Sequence, residues 1–506
     1  MIRNLIFLLI LNASIGLSAQ NNIIGLNAAD YKFSVVLTNA GTTKSDFNYI
    51  YRHAREFLLN PILKSEATVF PGAEITLDLF PGKSYNATVT AVKRDINNTL
   101  VVRASIQNFP GAFCIITTNN QGTSSLKIEI PQLVEKYNTV SDPRTGVLYL
   151  AQLDIERRLQ FSCDPIVLGL EETSIVNENI YPNTNSNAVA EIDVLVIYTP
   201  AAKTYAEANN GGINNVIANF MAASQIVMDN SLVDINVNMV HSQLINYTES
   251  GNSSTDLIRL QDPADGFIDE VHQWRRLYNA DLVTFIIVNQ DVGGTAFLLN
   301  DPVGQPAYGF NLVTLPSIVL DVTIPAHEIG HNMGCHHHKL QNTEPGPGLF
   351  EYSAGWRWTG ANNNRYCSIM TYEEGIYFPD GLRHNRVPHF SNPNAHFEGI
   401  PTGDALDADN ARTLRETKHI IAAYSNLLGI PNLEQQSIVI APNPTSGFIQ
   451  ITTPTPISNV TVFDTQGKLL LKSTSSLINF EALADGIYFV QIETDMGVSV
   501  KKVVKH

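Results

Sequence analysis

Residues 323–338 read TIPAHEIGHNMGCHHH, and the rest of the chain is best read outward from them. Pro325 suits the first turn of a helix, where its missing N–H is no loss. His327 and His331 stand four apart, so both imidazoles project from one helical face. Two zinc ligands need that spacing, and Glu328 between them can reach a water on the metal without being a ligand. Gly334 can adopt a positive φ, so the chain can turn sharply there. His337 then comes back from below as the third ligand. Three protein ligands leave a fourth position for water, which marks a catalytic rather than a structural zinc. A bare HExxH arises by chance in unrelated proteins; the extended HExxHxxGxxH, here HEIGHNMGCHH at 327–337, is much more specific. Eight of the chain's 13 histidines lie between His327 and His396. His336 and His338 read as solvent-facing or as neighbours supporting the ligands, and register alone leaves them open as ligands too.

The chain around this motif is long. Its 506 residues suggest about three units. Composition is globular, 44% hydrophobic and 16% charged, with a net charge of −16. An acidic chain without a Lys/Arg block argues against nucleic acid or an anionic membrane as partner. At the start, Arg3, the apolar run Leu5–Leu11 and Leu17-Ser18-Ala19 before Gln20 read as a secretory signal peptide over 1–19. The run is shorter than the roughly 20 apolar residues of a membrane span, and no later stretch is long enough for one. Export permits disulfides. Cys114, Cys163, Cys335 and Cys367 allow three full pairings, and sequence alone does not choose among them.

Residues 20–188 read as mostly β, with alternating segments at 74–80, 85–92, 100–106 and 126–130. The Asn-rich stretch 177–187 reads as an exposed linker. From Glu191 the pattern changes. IDVLVIYT (192–199) is a buried strand, 212–229 has helical apolar spacing, 234–240 alternates, 265–278 is a second helix candidate and 282–288 a second buried strand. Strands alternating with helices indicate the α/β class, here a multidomain chain whose central unit is a twisted sheet carrying the motif helix. A late helix spans about 407–425. After a linker at 427–436, residues 437–506 return to short strands and turns, the pattern of a small all-β sandwich.

HEIGHNMGCHH resembles the zinc-binding signature of the metzincin peptidases, closest to their reprolysin-like (adamalysin-like) bacterial branch. Cys367-Ser368-Ile369-Met370-Thr371-Tyr372, 33 residues after His337, is similar to the Met-turn of that family, with Met370 as an apolar base under the imidazoles. His389-Phe390-Ser391-Asn392-Pro393 and the helix after Asp407 also look like the ends of bacterial members, so the resemblance covers about 190–426. There are departures. Many reprolysins carry Asp after the third His, where this chain has His338. Ser368-x-Met370-x-Tyr372 is closer to the turn of astacins and serralysins, which makes Tyr372 a candidate to bind zinc or to donate to the oxyanion, beside simple packing.

The resemblance implies a zinc endopeptidase over 189–426 acting on protein or peptide substrates. Glu328 would be its general base. Substrate would pair with a sheet edge, for which Gly294, Thr295, Ala296 and Phe297 are the candidate strand. A calcium site is left open, with no ligands assigned. Metzincins are generally made as zymogens, so 20–188 reads as a β-rich propeptide. Cys163 is the candidate thiolate cap on the zinc, with a Cys114–Cys163 disulfide as the alternative. A Cys335–Cys367 bridge would staple the zinc helix to the Met-turn. The last seventy residues resemble a type IX secretion C-terminal sorting domain. The carriers are Ala441-Pro442-Asn443-Pro444-Thr445-Ser446-Gly447, Asp464-Thr465-Gln466-Gly467-Lys468, Asp485-Gly486-Ile487-Tyr488-Phe489-Val490 and the Lys-rich end from Lys501 to Lys505. That implies export through the periplasm by the type IX machinery to the cell surface or medium. A binding protein on a degenerate peptidase scaffold, and a zinc hydrolase of non-peptide substrates, stay open beside this reading.

Overall fold

The alternation in EITLDLF puts Ile75, Leu77 and Leu79 on one face of a strand, and all three are fully buried. The computed structural model describes residues 50–157, 162–167, 188–427, 439–453, 456–464, 468–494 and 497–506. The expected signal segment 1–19, the Asn-rich 177–187 and nearly all of the linker 427–436 lie outside the described residues. The chain divides into two units, 1–428 and 429–506.

In the first unit, eight strands form an antiparallel sheet: β1 (Tyr51–Glu56), β2 (Glu74–Phe80), β3 (Lys83–Arg94), β4 (Leu100–Ile106), β5 (Phe113–Thr118), β6 (Ser124–Ile130), β7 (Glu135–Ser141) and β8 (Leu148–Leu153). Their order is β1-β8-β7-β6-β5-β4-β3-β2. One face closes over its own core, with Leu59, Leu63 and Val69 folded across Leu77, Val102 and Ile128. The other face carries Val101, Phe113 and Ile115 into the core of the following segment. Burial on both faces explains why β5 and β6 lack exposed positions, and why FCIITT shows no alternation.

After the short β9 (Ile166–Val167), a second sheet contains β10 (Ala190–Tyr198), β11 (Ile235–Leu244), β12 (Leu282–Ile287), β13 (Gly294–Leu298) and β14 (Phe310–Thr314). Its order is β11-β10-β12-β14-β13-β9. The first four are parallel, with a nearly continuous apolar run in the central β10 and β12, and β13 returns antiparallel to β14. Helix α1 (Pro200–Asn209) starts at Thr199, whose hydroxyl caps Ala202 N. Helix α2 (Ile213–Asn230) is apolar nearly all round because it lies between the two sheets. Helices α3 (Ser253–Gln261) and α4 (Glu270–Leu277) cover the other face through Leu257, Leu260 and Val271. Then come α5 (Leu315–Leu320), the motif helix α6 (Ile324–Asn332), the small strands β15 (Arg357–Thr359), β16 (Arg365–Cys367) and β17 (Asn385–Arg386), and the late helix α7 (Asn410–Ile421). The sequence pattern missed α1, α3, β5, β7, β8 and β14, and it began α4 five residues early.

The second unit holds two antiparallel sheets, of three and four strands. Ile449, Ile451 and Ile478 of one meet Val460, Val462, Val490 and Ile492 of the other in a single core. Among the described residues no helix is long and apolar enough to cross a membrane.

Candidate metal centre

Asp321 sets the entry to α6. Its Oδ1 accepts from Thr323 N at 3.1 Å and Thr323 Oγ1 at 2.6 Å. Pro325 occupies the first turn. The exit is made by Gly334, whose φ is 92°. Cys335 N reaches back to Gly330 O at 2.9 Å, the left-handed closure that glycine favours. A Cβ on Gly334 would also stand 2.8 Å from Leu349 Cβ, so the turn excludes a side chain twice over. Past it, the chain brings His337 under the helix.

The three imidazoles meet through their Nε2 atoms. His327 and His337 are 3.1 Å apart, and His331 is 3.2 Å from each. Each ring's Nδ1 faces a backbone carbonyl: Ile369 O at 2.8 Å, Cys335 O at 2.9 Å and Glu344 O at 2.8 Å. Those carbonyls require protons on Nδ1, which leaves three Nε2 lone pairs converging on one point. Burial holds all three rings well below the ordinary imidazole pKa, hence neutral. Three neutral lone pairs in mutual contact are repulsive unless they share a cation. A tetrahedral site with Zn–N near 2.0–2.1 Å calls for nitrogens about 3.3 Å apart, so the donor set fits zinc.

Cys163 stands at the fourth corner. Its Sγ lies 3.4 Å from His331 Nε2 and 3.3 Å from Glu328 Oε2. Cys163, His327, His331 and His337 offer ligand atoms all within 4.8 Å of one another, and all four are buried. Cys163 is held by its backbone. Its N–H donates to the Tyr372 hydroxyl at 2.5 Å, and that hydroxyl donates to Cys163 O. Gly293 N donates to Ser162 O at 2.7 Å, and Thr295 Oγ1 to Asp164 O at 2.6 Å. Cys163 bridges Gly294, and β9 then pairs with Phe297 and Leu298, both in parallel sense. The segment carrying Gly294, Thr295, Ala296 and Phe297 is therefore the sheet edge of the zinc unit, with residues 163–167 alongside it.

Glu328 is fully buried, and burial pushes its carboxyl up to about 8 against the lowering influence of the Cys163 thiol and the Arg386 charge. Gly294 lies directly against it; a Cβ there would fall 2.6 Å from the carboxyl carbon. Met370 is buried beneath the helix, its Sδ against Gly330. Tyr372 packs its ring on His337 at 4.9 Å. His336 and His338 are buried rather than solvent-facing. His336 Nδ1 accepts from His337 N at 2.7 Å, and His338 stacks on Trp356.

The expected Cys335–Cys367 bridge is not formed, and neither is the alternative between Cys114 and Cys163. None of the four cysteines is in a disulfide, and all are buried. The turn after Gly334 aims Cys335 at Asn410 O, 3.5 Å away, while Cys367 on β16 faces His384 O at 3.5 Å. Cys114 belongs to the core of the N-terminal sheet.

Two supports of the site were not read from the sequence. Asn332 ends α6 with its amide donating to Phe297 O and Phe310 O, both at 2.9 Å, and accepting from Asn311 Nδ2 at 2.8 Å. It ties the zinc helix to the edge strand. Arg386 joins Asp321 Oδ2 at 3.2 Å to Thr371 O at 3.1 Å, linking the entry of α6 to the Met370 turn. Nothing local announces Arg386.

Residues 190–382 match the model of metallo-peptidase family M12. The segment is similar to members of that family. Residues 439–506 match the secretion system C-terminal sorting domain. Relatives of the M12 segment include peptidyl-Asp metalloendopeptidases. That of Stenotrophomonas maltophilia is 32% identical over 240 residues, covering 47% of this chain and 54% of the relative. That of Xanthomonas campestris pv. campestris is 32% identical over 244 residues, covering 47% and 53%. That of Pseudomonas aeruginosa is 26% identical over 257 residues, covering 46% and 40%. The chain spans about half the length of these relatives or less.

Proposed function

We propose that residues 189–426 are a zinc-dependent endopeptidase, made as a zymogen and exported by the type IX route through the sorting unit to the cell surface or medium. The observation that carries this reading is the convergence of three Nδ1-anchored imidazoles on one buried point, with Glu328 bonded to the Cys163 thiol that completes the cluster. Zinc held by His327, His331 and His337 supplies Lewis-acid polarisation of the scissile carbonyl and lowers the pKa of water to about 7.

The remaining steps belong to the chain's own groups. Glu328, dry and hydrogen-bonded to the Cys163 thiol here, takes a proton from the attacking water once that thiol has left, and returns it to the leaving amine. Tyr372, now bonded to the Cys163 backbone, is released at the same moment to donate to the carbonyl oxygen as charge develops on it. The edge Gly294–Phe297 pairs with substrate backbone after residues 163–167 vacate it. A parallel occupant presents its carbonyls in the sense opposite to an antiparallel substrate, so the segment can lie at the centre uncut. The relatives' name, peptidyl-Asp metalloendopeptidase, points to aspartate-containing peptides as the substrate class.

The test is hydrolysis of an unfolded protein by the full-length chain after limited proteolysis, with and without a chelator. Activity lost with the chelator and regained with added zinc supports the reading. Activity that survives complete zinc removal ends it.

A further inference from the structure

Arg386 is a partly buried cation, its side chain 13% exposed, that the proposed hydrolysis does not use. Its Nη1 pairs with Asp321 Oδ2, its Nη2 donates to Thr371 O, and its backbone N donates to Glu373 Oε1 at 3.0 Å. Thr371 stands between Met370 and Tyr372, so the guanidinium sits directly behind the residues that line the metal centre. Its charge bears on Glu328, Cys163, His327 and His337.

Two features distinguish this side chain from a simple staple. First, Nε is buried and has no hydrogen-bond acceptor among the described residues. An unpaired buried donor is destabilising, so it is a place where an acceptor is wanted. Second, the Asp321 carboxylate that it pairs with is shared. Asp321 also takes Lys136 Nζ at 3.5 Å, and Lys136 in turn pairs with Glu129 at 3.0 Å. Glu129, Glu135 and Lys136 of the N-terminal sheet line a small cavity against Arg386 and Glu373. The N-terminal sheet thus covers this guanidinium with acidic side chains, and its departure uncovers the cation.

We propose that Arg386 is the specificity-determining residue for an acidic substrate side chain beside the scissile bond. The proposal rests on the endopeptidase reading above and names the group that reads its substrate. Asp321 and Thr371 O fix the guanidinium plane, and the free Nε–H with an adjacent Nη–H forms the two-donor fork that a carboxylate accepts. An uncharged isostere in that place leaves the fork unpaired, which penalises it far more than a lost apolar contact would.

The experiment uses the full-length chain activated by limited proteolysis, with peptides identical except for Asp, Asn or Leu at one position, and cleavage points mapped by mass spectrometry. Wild type should favour Asp over Asn by about 100-fold or more in kcat/KM. Arg386→Gln should bring that ratio below about 5-fold with zinc content unchanged. Arg386→Lys keeps the charge without the fork, and its ratio should fall between the two; it also decides the matter if the Gln variant does not fold. Equal cleavage of Asp and Asn peptides by wild type, or a ratio unchanged in both variants, overturns the proposal while leaving the peptidase reading intact. Failure of wild type to cleave any peptide or an unfolded protein overturns both.

Discussion

The Cys163 thiol lies 3.3 Å from Glu328 Oε2, so a side chain from before the zinc unit occupies the base as well as the fourth corner of the metal site. On the proposed reading, that one contact blocks two requirements of hydrolysis. Cys163→Ala should remove a sulfur ligand without removing the metal. X-ray absorption should show sulfur at about 2.3 Å in the unprocessed wild type and only nitrogen or oxygen in the variant. The unprocessed variant should also be more active than unprocessed wild type. An all-N/O shell in both proteins would remove Cys163 from the role of cap.

Gly294 gives a sharper steric test. The room for a Cβ is taken by the Glu328 carboxyl group. Gly294→Ala should displace the base while leaving the three imidazoles in place, and should lower kcat by roughly 10²-fold or more with zinc retained. Wild-type kcat in this variant would show that Glu328 tolerates movement.

Asn332 makes three buried hydrogen bonds that link α6 to β13 and β14. Asn332→Ala leaves two carbonyls and the Asn311 amide without that partner. The expected loss is about 2–4 kcal/mol in denaturant unfolding of the unit. A loss under about 0.5 kcal/mol would mean that water replaces the amide.

Lys127 supplies a pH test of how the N-terminal sheet is seated. Its Nζ donates to Val319 O at 2.8 Å just before the zinc helix, and burial lowers its pKa from 10.5 to about 7. Above about pH 10.5 the amine is neutral whether folded or unfolded, and no penalty arises. As pH falls toward 7 the unfolded chain takes up a proton that the buried amine refuses, so stability falls by about 1.4 kcal/mol per pH unit at most. Below 7 the penalty is constant. Wild type should therefore gain stability relative to Lys127→Met as pH rises from 7 to 10, read from urea midpoints. A difference that is flat across that range would place the amine in water.

The metal centre was the most legible part of the chain because its spacing is local. His327 and His331 stand four apart on one helical face, and Gly334 marks the turn that returns His337 to them. Cys163 and the edge strand were reached only through resemblance, since the sequence carries no sign that residues 163 and 294 lie side by side. Asn332 was in plain view inside the motif, yet its partners come from Phe297, Phe310 and Asn311. The β5 strand FCIITT was illegible for a different reason. It is buried on both faces, because Phe113 and Ile115 point into the neighbouring core while Cys114 and Ile116 point into their own. Val101, Phe113 and Ile115, in the stretch expected to be a propeptide, pack into the same core as α2. Disulfide pairing failed as an expectation because proximity to two elements says nothing about where a thiol points.

The central claim is that three histidines hold zinc while Glu328 does the proton transfer. The most direct test counts zinc in the activated wild-type chain and in Glu328→Gln while measuring hydrolysis of an unfolded protein by both. About one zinc in each, with the variant's rate lower by roughly 10²–10⁴-fold, is the result this account predicts. Loss of zinc in Glu328→Gln, or equal rates with zinc bound in both, would contradict it.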